Sequence, residues 1–327
     1  MMNAMRIVLL DSFTTDQGDP DGFWGPLAQL GELQVFPRTA PAELVARCEG
    51  AFAAITNKVA FTAETFARLP ELRYVGVSAT GVNIIDLDAA RRAHVAVTNV
   101  AGYATQAVAQ LVFAQLLHFT HDVAGHDAAV KSGGWAAAPD FCFFRQPLIE
   151  LGGKTMVVIG AGAIGGAVAA LAEAFGMRVI RAAVPGSPGA RRPNRTPLEE
   201  ALPLADFVTL HCPLTDATRG MVDAAFLAAL RPGAILVNTG RGGLVDEAAV
   251  VAALEAGRLG GAALDVLGVE PPPSGHPLTD PSAPWARRVL VTPHIGWGTV
   301  EARRRLALET ARNLAAFIEG EARNRVV

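Results

Sequence analysis

Short apolar runs, each bounded by polar or glycine-rich stretches, recur along the chain with helix-period patterns between them. Early in the chain they fall at residues 6–10, 33–37, 51–56, 74–78 and 95–99, where the residue types favour strand. Strands alternating with helices predict a small doubly wound unit. A long helical pattern follows from 105 to about 131. Gly133, Gly134 and Trp135 come next, then the aromatic cluster Phe141, Phe143 and Phe144, which together read as an extended arm. Such a cluster fits a partner subunit, and packing inside one chain explains it nearly as well. Alternation resumes over 151–299, with strands expected at 155–159, 178–184, 207–211, 235–238, 261–266 and 289–292. The tail from 299 to 317 reads as one amphipathic helix returning to the first unit, with Arg303, Arg304 and Arg305 on a solvated face.

One junction is chemically specific. The run 155–159 feeds into Gly160, Gly162 and Gly165 in the order Gly-x-Gly-x-x-Gly, and an Ala-rich helical pattern follows as far as Phe175. Strand, tight turn and helix in that order make a pyrophosphate site. The first glycine permits the turn, the second lets the backbone approach the phosphates, and the third lets helix pack on strand. Gly160, Gly162, Ala163, Ile164 and Gly165 are thus candidate cofactor ligands. A membrane helix competes for the same residues. Nothing charged or strongly polar occurs over 156–172, close to the ~18 residues a span needs, and Gly162 with Gly166 gives a Gly-x-x-x-Gly spacing. A short strand pattern followed by a glycine turn argues against it. The expected fold is α/β: two doubly wound, Rossmann-like domains with parallel sheets and a cleft between them. Residues 1–102 and 300–327 would form one domain, and 103–299 the dinucleotide-binding one.

Composition narrows the function classes. At 327 residues, 51% hydrophobic and 18% charged, the chain can bury two ample cores. A net charge of −3 lacks the basic surplus of a nucleic-acid binder. The apolar stretch Ile7 to Leu10 runs straight into Asp11, too short for a signal peptide. Cys48, Cys142 and Cys212 lie far apart and are odd in number, so neither a disulfide framework nor a cysteine metal site is indicated. A cytoplasmic protein without membrane attachment is expected. His118, His121 and His126 sit at near-helical spacing, but no carboxylate or Cys cluster completes a metal site, and none is expected.

Three downstream segments place ionisable groups at expected strand ends, where a doubly wound sheet binds its ligands. Asn238, Thr239, Gly240, Arg241, Gly242 and Gly243 put an arginine in a glycine-rich loop. Ala263, Leu264, Asp265 and Val266 end another strand, with Glu270 shortly after, and Thr292, Pro293 and His294 end a third. A guanidinium clamps a carboxylate and polarises the neighbouring oxygen. An imidazole exchanges a proton near neutrality, and a carboxylate on its far nitrogen sets the tautomer and favours the charged form. Blander roles compete: a surface ion pair for Arg241, solvation for Glu270, a structural histidine at 294, a helix cap at Asp265 and simple packing for Cys212.

Taken in order, the glycine loop, residues 210–215 (Leu-His-Cys-Pro-Leu-Thr), the Arg241 loop, residues 263–266 with Glu270 and Pro271, and residues 292–294 resemble the D-2-hydroxyacid dehydrogenases over nearly the whole chain. Gly102, Tyr103 and Trp297 make the likeness greatest to the glycerate dehydrogenase/hydroxypyruvate (glyoxylate) reductase branch. The resemblance implies that Arg241 binds substrate, His294 is the acid/base and Glu270 its partner. It implies that Asp265 holds the nicotinamide carboxamide and that His211, Cys212 and Pro213 border the adenosine ribose. Thr239, Gly240, Arg241 and His294 would also touch the cofactor. Ala79, Thr80 and Gly81, with Lys58 and Trp297, would bind a short 2-oxo acid, and the chain would form a homodimer through the arm. Reduction of hydroxypyruvate or glyoxylate is expected. D-Lactate, formate or phosphite oxidation and a non-catalytic dinucleotide sensor are the alternatives, with Asn57, Lys58, Thr80 and Trp297 expected to decide among substrates. One departure concerns the cofactor. Ala183 stands where an NAD site carries an acid, ~20 residues past the glycines, and no acid follows before Glu199. Ser187, Arg191, Arg192 or Arg195 can then meet a 2′-phosphate, so NADP is expected over NAD.

Overall fold

The computed structural model describes residues 5–187 and 194–327, and divides into two compact units, Met1–Ala104 with Trp297–Val327, and Thr105–Gly296. In the first unit β1 (Arg6–Leu9), β2 (Glu32–Val35), β3 (Ala53–Thr56), β4 (Tyr74–Val77) and β5 (Ala96–Thr98) form a parallel sheet in the order β2-β1-β3-β4-β5. Strands β3 and β4 are buried throughout, which is why they read as unbroken apolar runs, whereas β2 at the edge alternates. Alternate side chains of β1 serve opposite faces. Val8 packs with Leu44, Phe66 and Val75 on one. Ile7 and Leu9 pack on the other with Trp24 and Leu27 of helix α1 (Pro20–Ala28) and with Ala307, Ala311 and Leu314 near the C-terminus.

Those last three belong to a helix, Val300–Ile318, whose first turn is capped by Thr299 accepting from the Ala302 N–H. Arg303 on it is buried, against the solvated face expected of residues 303–305. Its Nε donates to the Gly298 carbonyl at 3.1 Å and Nη1 to the Thr15 carbonyl at 2.7 Å, so the charge is buried because it satisfies two backbone acceptors. Arg304 is exposed as expected, and the exposed Arg305 donates to the Tyr103 carbonyl.

The second unit holds β6 (Thr155–Ile159), β7 (Arg178–Ala182), β8 (Phe207–Leu210), β9 (Ile235–Asn238), β10 (Gly261–Leu264) and β11 (Val289–Val291), all parallel, ordered β11-β10-β9-β8-β6-β7. The chain steps outward from β6 to β7 and then returns past β6 to β8, so β6 and β8 flank a topological switch point. The apolar stretch 156–172 resolves into β6, a turn and a helix, Ala163–Ala174. Among the described residues no helix is long and apolar enough to cross a membrane.

The helical pattern expected to run unbroken from 105 to 131 is two helices, α2 (Thr105–His121) and α3 (Val123–Lys131). Asp122 separates them at φ +43°, its carboxylate accepting from the Gly125 N–H and from Arg145. A short carboxylate that captures a nearby backbone donor caps a new helix rather than continuing the old one. His118 and His121 therefore fall on one helix and His126 on the next. Beyond α3 the arm leaves Trp135, Phe141 and Phe144 exposed.

Candidate active site

Gly160 sits at φ +94°, and a Cβ there would meet the His211 carbonyl and the Cys212 nitrogen. At Gly165 a Cβ would collide with the Gly160 carbonyl, whereas the space beside Gly162 is open. Only the first and third glycines are thus demanded by packing within the chain, and the second leaves room for a ligand. Helix α4 (Ala163–Ala174) starts at Gly162 with no side-chain cap, which leaves its first N–H groups and its positive end suited to an anion. A cavity of ≈ 590 Å³ opens there, lined among others by Gly160, Gly162, Ser187, Arg195, His211 and Thr215. The cradle at the switch point fits a dinucleotide.

Burial pushes the His211 imidazole down to about 4, and its Nε2 lies 2.8 Å from the Thr209 hydroxyl, so it borders the cavity as a neutral group. Burial also raises the Cys212 thiol, which lies 3.9 Å from the Met221 sulfur and packs as a small apolar residue. At the end of β7 Ala183 spends its N–H on the Thr196 carbonyl. Arg195 lines the cavity, whereas Arg191 and Arg192 lie outside the described residues.

The second cluster forms where β9, β10 and β11 run side by side. Asn238 is level with Leu264, and Leu264 with Val291, so the three following loops emerge together. After β9 the Asn238 carboxamide accepts from Gly240 N–H at 3.0 Å and donates to the Arg241 carbonyl at 2.9 Å, shaping the loop from within. Gly242 lies so close to the Leu267 carbonyl that a Cβ would collide with it, which seats the Arg241 loop against the loop after β10. In that second loop Leu267 N–H donates to Glu270 Oε1 at 2.9 Å. The other oxygen, Oε2, lies 2.7 Å from His294 Nδ1. His294 is 43% exposed at its side chain, which leaves Nε2 as the nitrogen for an outside partner.

His294 adopts φ +53°, a left-handed conformation rare for a non-glycine residue and costing about 1–3 kcal/mol. Asp265 holds it there. The Asp265 carbonyl accepts from His294 N–H at 2.8 Å, and the buried carboxylate accepts from the Thr292 hydroxyl at 2.6 Å and from the N–H groups of Ile295 and Gly296 at 2.9 and 2.8 Å. The side chain assigned by resemblance to the nicotinamide thus closes the turn that presents the histidine. It caps a turn, not a helix.

Within the first unit, the Asp11 carboxylate gathers the N–H groups of Asn57, Lys58 and Val59 at 2.8, 2.7 and 3.2 Å. Asn57 Nδ2 donates to the Ser78 carbonyl at 2.7 Å, and Asn99 Nδ2 to that of Thr80 at 2.7 Å. Lys58 and Thr80 are exposed, Ala79, Gly81 and Trp297 half-buried. Burial raises the Asp11 carboxyl above the usual carboxylate range despite these three donors.

Residues 113–296 match the family described as D-isomer specific 2-hydroxyacid dehydrogenase, NAD binding domain. The chain belongs to the D-isomer specific 2-hydroxyacid dehydrogenases. As a member it is an oxidoreductase that uses NAD(P) and acts on CH–OH groups. The dehydrogenase is 38% identical over 321 residues to a hydroxypyruvate reductase of Blautia hydrogenotrophica, covering 97% of this chain and 98% of the relative. It is 38% identical over 284 residues to a glycerate dehydrogenase of Methylorubrum extorquens, covering 87% and 88%. The crystal structure of the TT0316 protein from Thermus thermophilus superposes with a TM-score of 0.80 at 37% identity, over 99% of this chain and all of that one.

Pattern reading of this dehydrogenase missed Asn238 as the brace of the Arg241 loop and Thr292 as a donor to Asp265. Both stand in the motifs as plain strand-end residues. A short polar side chain one or two residues before a tight loop is the signal that was available for each.

Proposed function

We propose that the dehydrogenase reduces a short 2-oxo acid, hydroxypyruvate to D-glycerate or glyoxylate to glycolate, and prefers NADPH to NADH. The observation that carries this reading is the His294 Nδ1–Glu270 Oε2 contact of 2.7 Å beside the Arg241 loop. A bound nicotinamide supplies the hydride to C2. Arg241 clamps the substrate carboxylate and steadies the developing alkoxide, a preorganised donor of the kind worth about 3 kcal/mol. His294 gives its Nε2 proton to that oxygen, completing the conversion of the carbonyl to the alcohol, while Glu270 stabilises the imidazolium and fixes the ring. General acid assistance of this kind contributes ~10²–10⁴-fold. The N–H groups of residues 79–81, with Lys58 and Trp297, are the proposed ligands for the rest of the substrate.

NADPH is favoured because Ala183 offers no carboxylate to a ribose 2′-OH and Arg195 stands on the cavity wall. Names of the Blautia and Methylorubrum relatives support the substrate class. The exposed Trp135, Phe141 and Phe144 support a homodimer, and three free cysteines fit a cytoplasmic location. The test is loss of reduced-nicotinamide absorbance, with NADH and NADPH in parallel, over hydroxypyruvate, glyoxylate, pyruvate and 2-oxoglutarate. Highest kcat/KM for hydroxypyruvate or glyoxylate with NADPH is expected. Preference for pyruvate or 2-oxoglutarate would overturn the substrate, and preference for NADH the cofactor.

A further inference from the structure

The loop that carries Glu270 has little to hold it. From Val269 to Gly275 every residue is exposed, and the run includes three consecutive prolines. The partner of His294 nevertheless has to stay within hydrogen-bond reach. One carboxylate outside the catalytic set reaches both ends of this loop. Glu247 is the first residue of helix α5 (Glu247–Glu255), directly downstream of the Arg241 loop. The helix is already capped by Asp246, which accepts from Ala248 and Ala249 N–H, so the Glu247 carboxylate is free for another task. Its Oε1 accepts from Gly268 N–H at 2.8 Å, and its Oε2 lies 3.1 Å from His276 Nε2. His276 Nδ1 is enclosed and has no hydrogen-bond partner among the described residues. The nitrogen that faces the carboxylate is Nε2, so the ring donates to Glu247 through it.

We propose that Glu247 and His276 form a positioning clamp for Glu270. One carboxylate pins residue 268 before the general-acid partner and residue 276 after it. It does so from the helix that follows Arg241, while Gly242 presses on Leu267 at the same spot. The substrate-binding arginine and the carboxylate partner of the histidine are thereby set relative to each other. Neither Glu247 nor His276 touches substrate in this scheme, so both are positioning residues. The inference rests on the proposed His294–Glu270 acid.

The experiment compares the full-length Glu247→Ala, Glu247→Gln, Glu270→Gln and Glu247→Ala/Glu270→Gln enzymes in 2-oxo acid reduction. Cofactor affinity is read by fluorescence titration with NADPH. Displacing a reacting group by about 1 Å costs up to ~10²-fold, so Glu247→Ala should lose about tenfold or more in kcat, with KM for the 2-oxo acid and NADPH affinity unchanged. Glu247→Gln keeps an oxygen for Gly268 N–H but loses the acceptor for His276 Nε2, and should recover only part of the rate. Because Glu247 acts through Glu270, the double variant should be no slower than Glu270→Gln alone. A wild-type kcat in Glu247→Ala, or losses that multiply in the double variant, would overturn the clamp. If Glu270→Gln itself turns over at the wild-type rate, the acid–partner reading falls; if it is slow and Glu247→Ala is not, only the clamp falls. Should Glu247→Ala fail to fold, His276→Ala removes the far contact alone, with a smaller expected loss of kcat, and is judged by the same two outcomes.

Discussion

Arg241, Glu270 and His294 could be nominated without coordinates because each is an ionisable side chain a few residues past an apolar run, and parallel strands deliver such positions to one edge. What those side chains lean on could not. The hydrogen bonds of Asp265 close a turn whose shape depends on His294 sitting at φ +53°, and nothing in the residue string announces a left-handed histidine. Arg241→Ala should lower kcat/KM for the 2-oxo acid by ~10²–10³-fold, the usual loss for one preorganised donor, while NADPH affinity holds; steady-state kinetics and fluorescence titration check both. His211 makes a second, independent prediction. Its folded imidazole is pushed from 6.5 down to about 4. Above 6.5 both folded and unfolded forms are neutral. Between 6.5 and 4 only the unfolded chain takes the proton, so stability falls as pH drops through that window. The loss is at most about 3 kcal/mol by pH 4, a ceiling because the residue is only half-buried. Urea unfolding at pH 7 and pH 4.5 should show a smaller acid loss for His211→Gln than for the wild type.

Strands were the easiest elements to place, since those covered on both faces, such as β3, β4, β6 and β9, are unbroken apolar runs. Helices misled where a polar residue did something a period cannot encode. Asp122 looks like one more position on a continuing helix, yet it captures Gly125 N–H and Arg145 and starts a new one. Arg303 looks like one of three solvated arginines, yet it is 6% exposed and caps two carbonyls. Arg303→Ala should therefore destabilise the protein by about 1–3 kcal/mol, the cost of leaving buried polar groups unpaired. Arg304→Ala should stay within about 0.5 kcal/mol, the norm for an exposed site. Chemical denaturation of the two variants side by side separates these outcomes, and equal stabilities would show that the Arg303 contacts contribute nothing.

The order of strands in each sheet was not written in the periodicity, which says where strands are but not which are neighbours. The glycine turn supplied the link, because a nucleotide loop belongs at a switch point and β6 and β8 turned out to flank one. The proposed homodimer is open to test. Light scattering after gel filtration should give twice the mass of a single chain, and Phe141→Asp with Phe144→Asp should return it to one, since a charge in place of an exposed aromatic cannot be buried against a partner. An unchanged mass in the double variant would remove the arm from the interface. The first unit has a different consequence for the cell. Its sheet is made early, but Ala307, Ala311 and Leu314, which cover one face, and Val326, whose N–H completes the outer edge of β5 at Val97, come last. At ~5–20 residues per second, a ribosome takes roughly 10–40 s to cross the intervening second unit. Throughout that interval the nascent sheet lacks the residues that cover this face and edge, so the wait before the first unit can close is set by the length of the second.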